Sequence, residues 1–304
     1  MDPLHDVLTL VGATGHLSAS MEAGGSWAVE FEAPAGIKFN AVRRGRCWLR
    51  LDGSADSLPL VAGDCYLLTR ARPYTLFSDP EAVPVPAGPI FLAATGGVAR
   101  AGTGDDFAAV GGAFHFGERA RPLLLDALPP VVHVPGTAAE AATLHWAIDQ
   151  VDRELRQQRV AAGLVAEHLA LVMLIQMLRH HLAGAAGSAT GWLAGLGDPV
   201  VAVALRELHQ RPAHQWTVAE LARAASVSRS TLAARFRAVV GRAPLEYLTD
   251  WRVELAADRL RRTDDTLARI AQLVGYGSES ALSVAFKRVT GQPPRAYRRL
   301  ARPR

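Results

Sequence analysis

The spacing of hydrophobic and polar positions is typical of β-strands in the first part of the chain. From Trp27 to about Val134, short apolar or alternating runs are separated by Gly, Pro and Asp. The run CWLRLDG at 47–53 alternates and ends in an Asp-Gly pair that favours a turn. Runs that recur about every 8 to 12 residues are typical of an antiparallel sandwich or barrel. We therefore predict a β-barrel or jelly-roll domain over 1–136.

The apolar period becomes helical between 137 and 183. Two apolar stripes follow this period. The first consists of Leu144, Ile148, Val151 and Leu155, and the second of Leu164, His168, Leu171, Ile175 and Leu178. Two helices with a break near Ala162 fit this pattern best. We predict a helical connector whose role is dimerisation, in preference to simple coverage of the barrel. The Gly-rich segment 184–197 is predicted to be a linker.

The remaining segment, 198–304, contains one helix-turn-helix pattern twice, with corresponding positions 50 residues apart. Ser228 and Ser278 are suited to cap the second helix of each copy. A Leu and a Phe at i and i+4 share one helix face, which predicts a buried side. These pairs are Leu232 with Phe236 and Leu282 with Phe286, and each copy ends at a glycine, Gly241 or Gly291. The fold class is thus α+β and multidomain, with an all-α C-terminal domain.

The helix faces opposite Phe236 and Phe286 are predicted to contact DNA. In the first copy these positions are Arg229, Ser230, Ala234 and Arg237. In the second they are Ser280, Ser283, Val284, Lys287 and Arg288. The major groove is about 12 Å wide and admits one α-helix. A predicted helix over 244–262 could hold the two reading helices about one turn, or ~34 Å, apart on one face of double-stranded DNA.

The distribution of charge agrees with this assignment. The first 197 residues carry 14 basic and 19 acidic side chains, whereas the remainder carries 19 basic and 10 acidic ones. A basic C-terminal part beside an acidic body indicates that one end of the protein binds a polyanion. The length of 304 residues and the 49% hydrophobic content are ordinary for about two globular domains.

The second copy, IAQLVGYGSESALSVAFKRVTGQPPRAYRR at 270–299, resembles the signature of the AraC/XylS family of bacterial transcription regulators. The β-rich region resembles the cupin-like N-terminal domain common in that family, with matching turn residues at Gly45, Gly63 and Pro73. These resemblances imply a regulator that binds DNA and RNA polymerase and senses a small-molecule effector or an oxidant. Family members often carry larger polar residues at Ala234 and Val284, which implies that direct base readout is thin there.

Catalytic cupins hold a metal with a His-x-His pair, a Glu and a later His. Here the first strand reads FNAV at 39–42, and Pro73-Tyr74 stands where Pro-His is expected. We therefore predict no metal, no cofactor, no catalytic residue and no enzyme activity. Two alternatives stay open: a metal-dependent cupin enzyme fused to a DNA-binding domain, and an architectural DNA binder that needs no effector.

Cys47 and Cys65 are too few for a disulfide framework, which indicates a reducing compartment. The chain also resembles a subgroup of the family that includes an activator responding to reactive chlorine through cysteine oxidation. Met21 stands near the position of one of that activator's cysteines, and the other has no counterpart here. Nearby arginines in sequence nevertheless make Cys47 and Cys65 candidate redox residues, with buried structural thiols as the alternative. The N-terminus lacks the pattern of a signal peptide, and no apolar run reaches about 18 residues. A cytoplasmic protein without membrane contact is expected.

Overall fold

The computed structural model of the chain describes residues 2–116, 123–157, 159–184 and 191–301. The chain divides into two compact units. The sandwich unit comprises Ala13–Arg121 and Leu128–Gly184, and the helical unit comprises Met1–Gly12, Pro122–Ala127 and Ala185–Arg304. Residues 185–190 of the predicted linker 184–197 lie outside the described residues, and its described part contains a short helix at Trp192–Gly195.

The sandwich unit is built from two β-sheets. Its strands are β1 (Thr14–Gly24), β2 (Ala28–Phe31), β3 (Ile37–Arg44), β4 (Arg46–Leu51), β5 (Ser57–Val61), β6 (Cys65–Leu68), β7 (Tyr74–Phe77), β8 (Val85–Pro86), β9 (Val98–Gly102), β10 (Phe107–His115) and β11 (Val131–Val134). A six-stranded sheet has the order β11-β6-β3-β10-β1-β9, and a five-stranded sheet has the order β5-β4-β7-β2-β8. Buried side chains from both sheets form one core. The predicted β-rich jelly-roll domain is confirmed, as two facing sheets that do not close into a barrel.

Two long helices, α3 (Ala141–Gln157) and α4 (Ala162–Gly184), pack against each other, and α4 contacts β1 and β11 of the six-stranded sheet. Small residues allow α4 to pack close to that sheet. A Cβ atom at Gly15 of β1 would lie only 2.6 Å from the Cβ of Ala170, so a larger residue at position 15 would clash with the helix. Strand β6 is buried at every position. This explains why its sequence, CYLL, is continuously apolar instead of alternating. A short helix, α2 (Ala87–Leu92), completes the unit.

Helix α4 has one buried and one exposed apolar face. Leu178 is fully buried, whereas Leu164 is 57% exposed and Val172 is 37% exposed. In the described part of the chain, one helix, α4, is long and apolar enough to cross a membrane, judged by length and composition only. Its contacts with β1, β11 and α3 lie on its buried face, and 33% of its most apolar stretch is buried.

The helical unit contains the rest of the helices. They are α1 (Pro3–Val11), α5 (Trp192–Gly195), α6 (Pro199–Gln210), α7 (Val218–Ala224), α8 (Arg229–Val240), α9 (Pro244–Arg262), α10 (Leu267–Leu273), α11 (Glu279–Thr290) and α12 (Pro294–Ala301), with a 3-10 helix at Leu125–Ala127. The predicted all-α C-terminal domain is confirmed, and the helix predicted over 244–262 has those bounds.

The first helix of the chain belongs to the helical unit. Asp2 caps α1 by accepting a hydrogen bond from the backbone N–H of Leu4 at 2.9 Å. Val7 and Val11 are 1% exposed, and α1 contacts α6. On α6, the ring of His209 is buried with its Nδ1 atom 3.3 Å from Oδ2 of Asp6. The core of the helical unit therefore includes residues from the start of the sequence.

Candidate nucleic-acid interface

The first helix-turn-helix consists of α7 and α8. Thr217 and Glu220 form a capping box at the start of α7, with each side chain accepting a hydrogen bond from the other residue's backbone N–H. The turn contains Ser226 at φ 55°, and Ser228 then caps α8 by accepting from the N–H of Thr231 at 3.1 Å. Gly241 ends α8 with φ 84°.

The second helix-turn-helix, α10 and α11, repeats this design. Thr266 caps α10, and Ser278 caps α11 by accepting from the N–H of Ala281 at 3.2 Å. Gly275 is the left-handed residue of the turn at φ 89°, and Gly291 ends α11 at φ 80°. The serine caps and glycine ends predicted for both copies are therefore confirmed.

The inner faces of α8 and α11 are anchored in the same way. Phe236 and Phe286 are fully buried, as are Leu232 and Leu282 one turn before them. The ring centroids of Phe236 and Tyr247 lie 6.0 Å apart, and those of Phe286 and Tyr297 lie 5.3 Å apart. Sequence reasoning missed both Phe–Tyr contacts, although both copies contain G-x-x-P-x-x-Y at the same spacing. The repeat thus extends into the helix that follows each unit.

The opposite faces of α8 and α11 lie on the protein surface. The exposed residues of the predicted set are Arg229, Ser230, Ala234, Arg237, Ser280, Val284, Lys287 and Arg288, and Ser283 is half-buried. Val284 is 72% exposed. Ser230 and Ser280 each place Oγ 3.0 Å from the capping serine of their own helix. Both helices therefore present a small, polar and basic surface near their N-terminal ends.

Exposed cations on these faces are distinguished by whether they have partners. Within the described part of the chain, Arg229, Arg237, Lys287 and Arg288 form no ion pair. By contrast, Arg235 on α8 places Nε 2.7 Å from Oδ2 of Asp198. Burial raises the pKa of Asp198, but hydrogen bonds from two backbone N–H groups and from Arg235 outweigh burial and lower the pKa overall. Arg235 is thus held by a stable carboxylate, whereas the other four cations are available to an anion.

A buried arginine ties the two helix-turn-helix units together. Arg252 on α9 donates from Nε to the carbonyl of Pro212 at 2.6 Å and from Nη2 to the carbonyl of His214 at 2.7 Å. Its guanidinium also lies 5.7 Å from the ring centroid of Tyr276, in the turn of the second unit. Gln215 donates to the carbonyl of Gly275 at 2.7 Å. The segment before α7 is therefore fixed to the turn before α11.

Gly275 permits this close contact. A Cβ at this position would lie 2.6 Å from Cα of Ala213, in addition to the unfavourable positive φ. No local sequence signal relates Arg252 or Ala213 to this turn, because the partners are distant in sequence. The side chains that fix the spacing of the units were not among the predicted site residues.

The candidate redox cysteines lie in the sandwich unit. Cys47 on β4 and Cys65 on β6 belong to different sheets, and both are buried. Burial, followed by the nearby charge of Asp64, raises the pKa of each thiol to about 12. Reactive thiols instead have a low pKa and access to solvent. These surroundings match the buried structural thiols that were weighed as the alternative.

Metal-ligating side chains are dispersed in the regions that the structure describes. No group of three or more His, Cys, Asp or Glu residues there is arranged to hold a metal ion. Asn40, in the strand where a catalytic cupin carries its His-x-His pair, is buried opposite Tyr66. The sandwich unit does contain two surface cavities, one beside Trp27 and Phe107 and one beside Phe31 and Phe91.

Comparison with known proteins accounts for both units. Residues 2–183 match the Cupin family, and residues 221–300 match a helix-turn-helix domain family. A putative AraC-like transcription regulator of Streptomyces lividans is 60% identical over 299 residues, which cover 98% of each chain. A putative AraC-like transcription regulator of Streptomyces antibioticus is also 60% identical over 299 residues, covering 98% of this chain and 99% of that protein. The RCS-specific HTH-type transcriptional activator RclR of Escherichia coli is 38% identical over 110 residues, covering 36% of this chain and 39% of RclR.

Proposed function

This chain belongs to the AraC family of DNA-binding transcription regulators and carries an N-terminal cupin domain, and we propose that it recognises a specific duplex sequence with α8 and α11 in the major groove. The observation that carries the proposal is the pair of exposed faces opposite Phe236 and Phe286, each supported by the same caps and the same Phe–Tyr contact. A helix that buries one face and exposes small polar and basic residues on the other fits the groove.

The exposed residues divide by chemistry into two roles. Arg229, Arg237, Lys287 and Arg288 are proposed to contact phosphates or guanine edges, because they are cations without a protein partner. Ser230 and Ser280, at the helix N-termini, are proposed to set the register of each helix on the backbone. Ala234, Ser283 and Val284 then face base edges, where Val284 suits a thymine methyl group.

Selection of bound sequences from random duplexes, followed by fluorescence anisotropy over a range of salt, tests this proposal. Arg237→Ala and Lys287→Ala should each weaken binding and each reduce the slope of log K against log salt by about 1 if they contact phosphate. Arg206→Ala is a matched control, because Arg206 is an exposed cation on α6 and belongs to neither reading helix. No enriched sequence, or equal effects of all three substitutions, would contradict the proposal.

We propose that the cupin domain senses an effector, that no catalysis is required and that the protein acts on RNA polymerase in the cytoplasm. An effector that binds one arrangement of the protein better than another shifts the population of DNA-binding states. The Cupin match begins at residue 2, whereas α1 packs in the helical unit. Helix α1 therefore offers a covalent route by which the cupin domain can influence DNA binding.

We also propose that the exposed face of α4 forms a homodimer interface. Leu164, Val165 and Val172 expose apolar side chains along this helix, and Trp146 on α3 is 53% exposed. A second copy would bury this surface and double the phosphate contacts. Sedimentation of Val172→Glu should show monomer under conditions where wild type is dimeric, with Val61→Glu, an exposed residue on β5, as control. A monomeric wild type at micromolar concentration, with and without DNA, would overturn this interface.

A further inference from the structure

A cavity of about 750 Å³ lies where β2 ends and β7 begins. Its lining comes from the segment 30–33, from Pro73 and from the segment 86–91. None of these residues belongs to the predicted site or to the cysteine environments. The cavity therefore has no role in the function argued so far.

Aromatic rings form one wall of this cavity. The rings of Phe31 and Tyr74 are stacked, with centroids 4.7 Å apart and an interplanar angle of 3°. Phe91 meets Phe31 edge-on at 6.0 Å. Phe31 and Phe91 also pack against the core between the two sheets, so their positions are fixed by the fold. Fixed aromatic faces attract apolar groups and cations.

The charged groups of the cavity all have the same sign. Glu30 and Glu32 line it, and no Lys, Arg or His does. Both carboxylates are exposed, and neither forms an ion pair within the part of the chain that the structure describes. Pro73, Pro86 and Pro89 contribute wall surface without a backbone N–H. The charge and aromatic faces of the lining thus come from Glu30 and Glu32 and from Phe31 and Phe91.

We propose that this cavity, here called the acidic aromatic cavity, binds a hydrophobic organic cation, such as a quaternary ammonium, a phosphonium or a protonated amine on an apolar body. Two carboxylates repel anionic ligands, and the aromatic wall gives a small hydrated metal ion no ligands. Val83 and Leu92, which flank the lining segment in sequence, are 83% and 90% exposed and suit an apolar body. The further step, that this cation is the effector, rests on the proposed regulatory function. Binding of the cation to the cavity does not depend on that function.

Titration calorimetry with tetraphenylphosphonium and tetraphenylborate tests the proposal, because these ions have the same shape and opposite charge. Wild-type protein should bind the phosphonium in the cavity, and Glu30→Gln/Glu32→Gln should weaken that binding about tenfold. Phe91→Leu keeps an apolar side chain without a π face and should weaken it about threefold. The control Asp56→Asn/Glu81→Gln removes two exposed carboxylates of the same unit that do not line the cavity and should bind as wild type does.

Unchanged phosphonium binding in both the glutamine pair and Phe91→Leu would overturn the proposal, as would tetraphenylborate binding that depends on Phe91. Thermal unfolding of each variant shows that the fold is retained. Anisotropy with a selected duplex separates this proposal from the DNA-binding function. The glutamine pair should bind DNA as wild type does without the phosphonium. If the wild-type protein binds no specific DNA sequence, only the regulatory function is contradicted. If the wild-type protein does not bind the phosphonium, only the cavity assignment is contradicted.

Discussion

The two helix-turn-helix units share their caps, lengths and Phe–Tyr contacts, yet different parts of the chain support them. Both units contact α9, and the first unit also packs against α5 and α6. Helix α6 in turn contacts α1. The second packs against α9 and α12. The repeated sequence therefore specifies the reading helix, whereas the surroundings decide which other segments of the protein reach it.

A chain of contacts leads from helix α1 into the first unit. Asp6 lies 3.3 Å from His209, whose Nε2 atom is 2.7 Å from the hydroxyl of Tyr247. The ring of Tyr247 contacts Phe236, the buried anchor of α8. In the second unit the equivalent Tyr297 lies on α12, near the C-terminal end of the described chain. A change in the N-terminal region should thus affect α8 before α11.

Removing the two anchors should give the largest effect. Phe236→Ala and Phe286→Ala each delete a fully buried ring, and each should lower the free energy of unfolding by about 3–5 kcal/mol. Chemical denaturation measures this loss. Hydrogen exchange should show that Phe236→Ala also weakens protection in α1 and α6, whereas Phe286→Ala weakens it in α12. Identical exchange patterns in the two variants would mean that the units do not differ in their support.

The turns offer a smaller but sharper contrast. Gly275→Ala places a Cβ against Ala213, whereas Gly241→Ala, also at positive φ, has no neighbour within 4 Å. Gly241→Ala should therefore cost about 1 kcal/mol from backbone strain, and Gly275→Ala about 1–3 kcal/mol more from the clash. Thermal unfolding gives the difference. Only Gly275→Ala should also weaken DNA binding, because it alone alters the spacing of the two units.

Local features of this molecule could be predicted from sequence, and distant contacts could not. The caps at Ser228 and Ser278 and the buried pair Leu232 and Phe236 depend on neighbours within one or two helical turns. The contact of Arg252 with Pro212 joins residues 40 positions apart, and no periodicity records it. Without an observed fold, Arg252 is one of 33 basic residues and has no distinguishing feature.

The same limit applies to the sandwich unit. Alternation at 47–53 predicted a strand, but the burial of Cys47 and Cys65 depends on how the second sheet and the helices cover those strands. Nearby arginines in the sequence made both thiols candidates, but burial in the folded protein raises the pKa of each one. The packing of α1 in the helical unit also depends on the whole fold, since its sequence only shows an amphipathic start to the chain.

Titration of His209 should give a third, pH-dependent difference between the units. Burial lowers the pKa of His209 below its ordinary value of 6.5, and the opposing effects of Asp6 and Asp2 only reduce this shift. The unfolded chain therefore takes up a proton at a higher pH than the folded protein does. Stability from this site is complete above about pH 6.5 and is lost as the pH falls towards the lower folded-state pKa.

His209→Gln removes the titration while keeping a side chain that can hydrogen-bond to Tyr247. The wild type should lose more stability than this variant between pH 7.5 and pH 5.5, as measured by urea denaturation. His181 in the sandwich unit also has a pKa lowered by burial, so both proteins share that background. A constant difference between the two proteins across this range would show that His209 does not titrate on unfolding.

The smallest expected effect concerns the equivalent positions Ala234 and Val284 on the outer faces of α8 and α11. Val284→Ala should change the free energy of unfolding by less than about 0.5 kcal/mol, because the side chain is 72% exposed. If Val284 contacts a thymine methyl group, the variant should bind the selected duplex about two- to fivefold more weakly and discriminate less at one base pair. The salt dependence should stay unchanged, because no phosphate contact is lost. A changed salt slope, or equal loss of affinity for all sequences, would place Val284 outside the groove and leave base recognition to the polar residues of α11.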